Sequence, residues 1–527
     1  MATCSMMLPR RPSWHTLSSM KCRPAIFSWI FSACFLSTFA LAVDSASPQY
    51  SELWGKSGEK WTPQSRLPDF SFAGYHCGEA PLPIVPVAVN VKQFGAKGDG
   101  VADDSQAFLD ALAAVTTGAI EIPPGRYKIT RILEITRSGV VLRGAGAQQT
   151  TLFCPTPLND IRPNWGATTD GRRTSNYSWA GGFVWFRGNL QARTLASVSA
   201  EARRGDTVIK ASTTTPFRPG QRIQIVQTDQ PDNSLANHLY SGDPGDMAKL
   251  HGSTRTVFVC RVTKIAGQEL HLDRPLRCDL QLRWKPQVRS FAPTVTESGL
   301  EELCFEFPNT PYKGHFTELG YNAAAMQGCA DCWLRNIRIV NSDSGLFLNG
   351  FFCTAQGITV ESARNTDRSG STGHHGVSFY GHDNLLADFD FRTQFIHDLT
   401  VDGGASGNVS ANGRGVDLCL DHHKRTCYEN LFSNIDVGAG THLWRHGGGD
   451  ALGKPCAARG SFWNIRSTRP QMYPPAAFGP LSMNLIAVQT KAQSQTEPHG
   501  RWFEAISPDA FSPKDIHQAQ LKRRLKQ

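Results

Sequence analysis

The sequence predicts an all-β solenoid, closed at one end by an amphipathic helix and interrupted by a small antiparallel β-domain. Three observations carry this. A polar-apolar-polar-apolar unit recurs at Asn336-Ile-Arg-Ile, Gly357-Ile-Thr-Val, Asp388-Phe-Asp-Phe, Asp398-Leu-Thr-Val and Asn434-Ile-Asp-Val, with a weaker copy at Asn464-Ile-Arg-Ser. Its apolar starts, at 337, 358, 389, 399, 435 and 465, are mostly 21 to 36 residues apart, which suits one solenoid turn with variable loops; the single spacing of 10 suits two faces of one turn. A strand–turn–helix–strand run opens the fold between Val89 and Tyr127. Finally, 48 glycines and 29 phenylalanines with only 19% charged residues describe a turn-rich, folded chain rather than a disordered one.

In the opening run, Val89 and Val91 alternate with polar residues, as in a half-buried strand. Gly95, Gly98 and Gly100 supply turns. Ala107, Phe108, Ala111, Leu112 and Val115 then recur at helical spacing behind Asp103-Asp104-Ser105, whose carboxylates can accept the free N–H groups of a first helical turn. Ala119-Ile-Glu-Ile is a second strand, and Pro123-Pro-Gly-Arg-Tyr127 turns away from it. Phe94-Gly-Ala-Lys-Gly-Asp-Gly100, Asp103-Asp-Ser105 and Pro123 to Tyr127 together resemble the N-terminal cap of the pectate lyase-like superfamily, the glycoside hydrolase 28-related module. The resemblance implies a right-handed parallel β-helix whose open end the helix closes. It does not imply pectate as substrate, because that superfamily spans lyases, hydrolases, epimerases and viral tailspikes.

Residues 1–42 form a targeting candidate. Arg10, Arg11, Lys21 and Arg23 precede an apolar run, Ala25–Ala42, that ends in a small-x-small site at Ala40-Leu-Ala42. A secreted protein follows, with a membrane anchor as the alternative; with the leader cleaved, no stable membrane association is expected, and a monomer is. Losing these four basic residues lowers the net charge from +9 to +5, which suits an acidic polysaccharide and gives nucleic acid no support. Eleven of the 14 cysteines follow residue 42. In a secreted chain they suggest several disulfides and one odd thiol, with Cys419–Cys427 and Cys260–Cys278 as local pairs.

Along the chain, 43–85 reads as an irregular leader and 86–195 as the cap and first turns. Residues 196–290 read as the antiparallel insert, from Gly205-Asp-Thr-Val-Ile-Lys, Gly220-Gln-Arg-Ile-Gln-Ile-Val, Thr256-Val-Phe-Val-Cys-Arg-Val and Glu269-Leu-His-Leu-Asp. The main turns occupy 291–470, and 471–527 is a loosely attached extension ending in a basic tail.

Eight of the 16 histidines lie between His374 and His446, in segments that solenoid stacking can bring together. In Gly415-Val-Asp-Leu-Cys-Leu-Asp421, alternation turns Val416, Leu418 and Leu420 inward and Asp417, Cys419 and Asp421 outward, ahead of His422-His423. Such groups are costly to bury unpaired. They point either to a ladder stapling adjacent turns or to catalysis.

β-Elimination on a uronate requires a group to neutralise the carboxylate, a base and an acid. Arg414, Lys424, Arg425 or Arg445 could neutralise; His375, His422 or His423 could be the base; Tyr380 or another histidine could be the acid. Calcium could enter through Asp383, Asp417 and Asp421, though no calcium loop is recognisable. Hydrolysis requires two suitably spaced carboxyls. Asp417 and Asp421, about 13 Å apart on one strand, cannot pair, so Asp383, Asp398 or Asp402 would have to contribute. The expected catalytic set is therefore His375, Arg414, Asp417, Asp421, His422, His423 and Lys424. Lys313, His315, Tyr321, His382, Asn384, Arg445 and His446 are expected to contact sugar. No histidine metal site is expected, because adjacent pairs such as His374-His375 point to opposite faces of a strand. A uronate polysaccharide lyase leads; a glycosidase of the same superfamily and a non-catalytic glycan-binding or cell-surface β-helix protein are the alternatives.

Overall fold

The computed structural model describes residues 47–526 other than residue 367; the proposed leader at 1–42 lies outside the described residues. Two parallel sheets run the length of the molecule. The first contains Gly118–Ile122, Val140–Gly144, Gly299–Glu306, Trp333–Val340, Thr354–Glu361, Leu385–Phe391, Val409–Gly415, Leu431–Asp436, Ser461–Arg466, Asn484–Val488 and Trp502–Glu504 in spatial order. The second stacks Leu133–Ile135, Val184–Arg187, Asn322–Ala330, Ser344–Phe351, His375–Phe379, His397–Val401 and Leu420–His422. Successive strands alternate between the two, so that each turn adds one to both, which makes a parallel β-helix.

The repeat has a backbone cause. In the first sheet Ile337, Ile358 and Phe389 stand in register, as do Ile435 and Ile465. All face a core where each is at most 3% exposed; full burial of such a side chain contributes ~1.5–3 kcal/mol. Leu399, the copy only ten residues on, belongs to the second sheet and is also buried. The polar residue before each first-sheet apolar one adopts a left-handed conformation: φ is 53° at Asn336, 55° at Asp388, 56° at Asn412, 54° at Asn434 and 55° at Asn464. Asn and Asp tolerate that region best among non-glycine residues. Their side chains also ladder, with Asn434 Nδ2 donating to Asn412 Oδ1 at 2.7 Å and Asn464 Nδ2 to Asn434 Oδ1 at 2.8 Å.

One rung, Val409–Gly415, escapes the sequence pattern because Gly413 stands at its apolar position, opposite Ile435. A Cβ there would lie 2.1 Å from the Phe389 ring, so the phenylalanine of one turn fills the core space of the next. Gly413→Ala is expected to lower stability by about 1–3 kcal/mol through overpacking, measured as a shift in the urea midpoint, and shortening the ring with Phe389→Leu should restore part of it.

The capping helix Ser105–Ala114 lays Ala107, Phe108, Ala111 and Leu112 on the solenoid core. Asp103 accepts Ser105 N–H at 3.0 Å, and Asp104 accepts the N–H groups of Lys97 and Gly98. These aspartates serve the turn and the helix start, not chemistry. Between Thr194 and Ser290 a six-stranded antiparallel sheet builds its own core, including Ile209, Ile223, Val262 and Leu270. Trp54, Leu67 and Phe70 of the leader pack on Val409, Leu431 and Trp463.

Two expectations are corrected. All eleven cysteines among the described residues are free and buried. Cys419 instead donates to Ile396 O and Cys427 to Lys424 O, and no disulfide joins Cys260 to Cys278. The basic C-terminal stretch is not a loose tail. It forms the helix Ile516–Leu525, capped by Asp515, with Ile516 fully buried and Arg524 bonded to Glu79.

Candidate active site

At the ends of the second sheet's last strands lies a cavity of about 730 Å³, and the histidine-rich segments converge on it. His375 and His397 occupy the same register on neighbouring strands, rings 5.0 Å apart. The ladder continues past the strands: Asp402 N–H donates to Phe379 O and His423 N–H to Val401 O. Tyr380, Asp402 and His423 therefore follow the ends of three successive strands, and all three line the cavity. A loop carrying His315 and Phe316, the hairpin segment Ala167–Asp170 and the Arg445–Asp450 loop complete the wall, with Lys249 from the long loop of the insert.

Asp421 sits beneath this surface, fully buried. His423 Nδ1–H donates to its Oδ2 at 2.8 Å, His397 Nδ1 lies 3.3 Å from the same oxygen, and Gly447 N–H donates to Oδ1 at 2.7 Å. Burial opposes its charge, but the imidazoles of His423 and His397 hold its carboxyl well below the usual range. In return, Asp421 overrides the burial of His423 and raises that imidazole to about 9. A fixed aspartate–imidazolium pair results. Around this pair burial works against charge on several neighbours. Burial, then the neighbouring imidazoles, push His374 and His375 well below the ordinary histidine value. Burial raises the Tyr380 phenol and the Asp402 carboxyl.

After His423 the backbone does something unusual. Lys424, Arg425 and Thr426 all have positive φ, at 65°, 55° and 61°. Each such residue costs roughly 1–2 kcal/mol. The surroundings hold them there: Lys424 Nζ donates to Gly449 O, Arg425 N–H to Leu452 O, and Thr426 N–H to Tyr240 Oη. This turn delivers Arg425 to the cavity wall. Among the described residues, neither Arg425 nor Arg445 has a carboxylate within ion-pair distance.

The residues expected to carry chemistry divide clearly. His375, His423, His315, Arg445 and His446 line the cavity, Asp421 lies behind it and Lys424 braces its rim. The others lie elsewhere. His422 points into the core against Phe432, Phe462 and Phe478, because strand alternation sends it opposite to Asp421 and His423. Arg414 belongs to the first sheet, exposed and paired with Asp390. Asp417 accepts Thr441 N–H at 2.9 Å, outside the cavity, and Val416, expected inward, is 50% exposed. Asn384 is a buried ladder residue whose Nδ2 donates to Asn408 Oδ1. His382 faces Ser406 on another edge of the turns. Tyr321 Oη donates to Pro155 O, and Lys313 is a surface residue. Asp383, the calcium candidate, is clamped by Arg274 and Arg277 of the insert; Asp398 accepts the N–H groups of Phe395 and Cys419. Arg414→Ala is accordingly expected to leave turnover within twofold of wild type in any assay of the enzyme.

Sequence reasoning gave His374 and His397 no individual role, and it missed the 167–170 and 447–450 loops. The density of histidines was the signal for the first pair. The loops carry only alanine, glycine, threonine and aspartate at the relevant positions, and nothing in that pattern announces a wall.

Residues 88–216 match the family described as Rhamnogalacturonase A/epimerase, pectate lyase-like. Two mannuronan C5-epimerases of Azotobacter vinelandii are similar over short stretches. AlgE6 is 35% identical over 123 residues, 19% of this chain and 14% of that protein. AlgE4 is 40% identical over 97 residues, 17% of this chain and 18% of that protein. The chain thus spans less than a fifth of the length of either relative. Among solved structures, the tailspike protein gp49 from Pseudomonas phage LKA1 covers 76% of this chain and 67% of its own, at 13% identity and a TM-score of 0.45. The protein is a parallel β-helix whose residues 88–216 match a pectate lyase-like family, the fold that the Phe94–Tyr127 resemblance implied.

Proposed function

We propose that this protein is a secreted, carbohydrate-active enzyme that removes the C5 proton of a uronate residue in an acidic polysaccharide and completes a β-elimination. The observation that carries the reading is the pair of guanidinium groups, Arg425 and Arg445, at a cavity wall with no carboxylate within ion-pair distance of either among the described residues. Unpaired cations in a cleft select an anion. They and the His423 imidazolium would hold the uronate carboxylate and spread the charge that develops when C5 loses its proton.

His375 is the base. In the tautomer that donates Nδ1–H to Ser378 Oγ, 3.2 Å away, its Nε2 lone pair is free to take the proton. The electron pair of the C5–H bond passes into the carboxylate as an enolate. It returns to form the C4–C5 double bond as the C4–O bond breaks, and the Tyr380 phenol donates a proton to the departing oxygen. Hydrolysis is supported less: Asp421 is saturated by two imidazoles and an amide, so it is not available as one of two carboxyls.

Epimerisation shares the first step and differs only in returning a proton to C5 from the other face; the names of the two relatives favour it as the second reading. Incubation with mannuronan, pectate and glucuronan, followed by ultraviolet absorbance of unsaturated uronate, separates the two. Elimination gives that absorbance, whereas epimerisation changes the C5 configuration with no new chain ends. New reducing ends without unsaturation would sink both.

A further inference from the structure

The cavity contains more imidazole than proton transfer requires. His315, His374 and His397 each place one ring nitrogen within 4.8 Å of those of the other two. They come from three separate segments: the 315–316 loop and two successive turns, joined where His397 N–H donates to His374 O at 2.8 Å. All three line the cavity. We propose that they bind a first-row transition-metal cation of the zinc(II) kind, with an open coordination position for the substrate carboxylate. This deepens the proton-abstraction reading and rests on it for the role of the metal, though not for the existence of the site.

Two observations point to a ligand. His374 and His397 are only 2% and 4% exposed, yet both rings stand at the wall of the cavity. Behind each ring stands a carboxylate: Glu318 Oε2 lies 3.6 Å from His374 Nδ1, and Asp421 Oδ2 lies 3.3 Å from His397 Nδ1. A carboxylate behind a histidine is the arrangement that fixes the tautomer and ring orientation of a metal ligand. Glu318 is itself held in place by Ser178 Oγ–H and the Tyr312 phenol.

The donor set selects the ion. Three nitrogens suit zinc, cobalt or nickel, and not calcium or magnesium, which take oxygen. Three protein ligands with one position open is the pattern of a reactive metal rather than a structural one. The adjacency of His374 and His375 is no obstacle, since the site draws one histidine from each of two turns and one from a loop. At the open position a metal would neutralise a uronate carboxylate beside Arg425 and Arg445.

The test uses the full chain, without a polyhistidine tag, stripped with EDTA and titrated with Co²⁺. The expected result is one Co²⁺ per chain with visible d–d absorption, displaced by one equivalent of Zn²⁺. His315→Ala, a partly exposed loop position, should weaken Co²⁺ at least a hundredfold. Glu318→Gln, which leaves all three ligands in place, should weaken it about tenfold, with circular dichroism showing both variants folded. Absence of stoichiometric uptake, or uptake unchanged in both variants, would overturn the site. Release of the substrate's C5 hydrogen is read separately. Full-rate release by the stripped protein would overturn the metal's role and leave proton abstraction standing. Stoichiometric Co²⁺ binding without release on any uronan supports the site and removes the proposed function.

Discussion

Asp421→Asn is expected to lower turnover about a thousandfold while the protein remains folded. Asparagine is nearly isosteric; its amide oxygen can still accept from one of the groups that Asp421 serves, His423 Nδ1–H and Gly447 N–H. What it removes is the charge. With no anion behind it, a buried His423 no longer keeps its proton near neutrality, and His397 loses the group that orients it. Loss of an orienting carboxylate behind an imidazole costs up to about 10⁴-fold in well-studied enzymes, and removing one preorganised group that stabilises developing charge costs about 10²–10³-fold. The pH profile separates this from simple structural damage. In the wild type the raised value of His423, about 9, keeps its charge through neutrality, so activity should fall as pH rises through about 9. In Asp421→Asn that alkaline limb should move to lower pH. Stability follows the same sign. The contribution from His423 is fully present below the ordinary histidine value and is lost as pH rises through about 9; the contribution from Asp421 is present above the ordinary carboxylate range and is lost on acidification.

The second large effect concerns stability alone. Asp383→Ala is expected to cost about 3–5 kcal/mol. Asp383 is 1% exposed and accepts from both Arg274 and Arg277, at distances of 2.7 to 3.4 Å. The two arginines hold its carboxyl below the usual range against the effect of burial. Arg277 also faces Glu429, which Arg204 and Arg459 share. The antiparallel insert is thereby pinned to the solenoid by a buried ionic network, and removing one carboxylate leaves Arg274 without a counter-charge and Arg277 with Glu429 alone. The urea midpoint of the cooperative transition should fall accordingly, whereas Asp390→Ala, at an exposed pair, should scarcely move it. A loss below about 1 kcal/mol for Asp383→Ala would contradict this account of how the insert is held.

Both results bear on what could be read from residues alone. The fold was legible because stacking repeats itself: aliphatic residues in register produce a period, and the left-handed turn before each admits Asn, Asp or Gly. The rung at Gly413 broke the period because Phe389 of the preceding turn occupies its space, a relation between turns that no single segment displays. The site was half legible. Histidine density located it, and Asp421-His422-His423 marked its centre, but not which of the three faces the cavity. That depends on the strand Leu420–His422 ending where it does, so that His422 falls inward and His423 outward. Arg414 and Asp383 looked chemical for the same reason that Asp421 did, being charged residues in the histidine-rich stretch. Their partners, Asp390 on the preceding turn and two arginines from a distant insert, could not be read from local sequence. The cysteines were misread because fourteen in a chain with a leader-like start suggest disulfides, whereas those in the described part fill core positions as small apolar groups.

The account as a whole turns on one step, removal of the hydrogen at C5 in the cavity above Asp421. A uronan labelled with tritium at C5, incubated with the enzyme, measures that step whether elimination or epimerisation follows. The account predicts that label passes into water with the wild-type protein and that the rate falls about a thousandfold in Asp421→Asn. Chain cleavage with the label retained at C5 would contradict it.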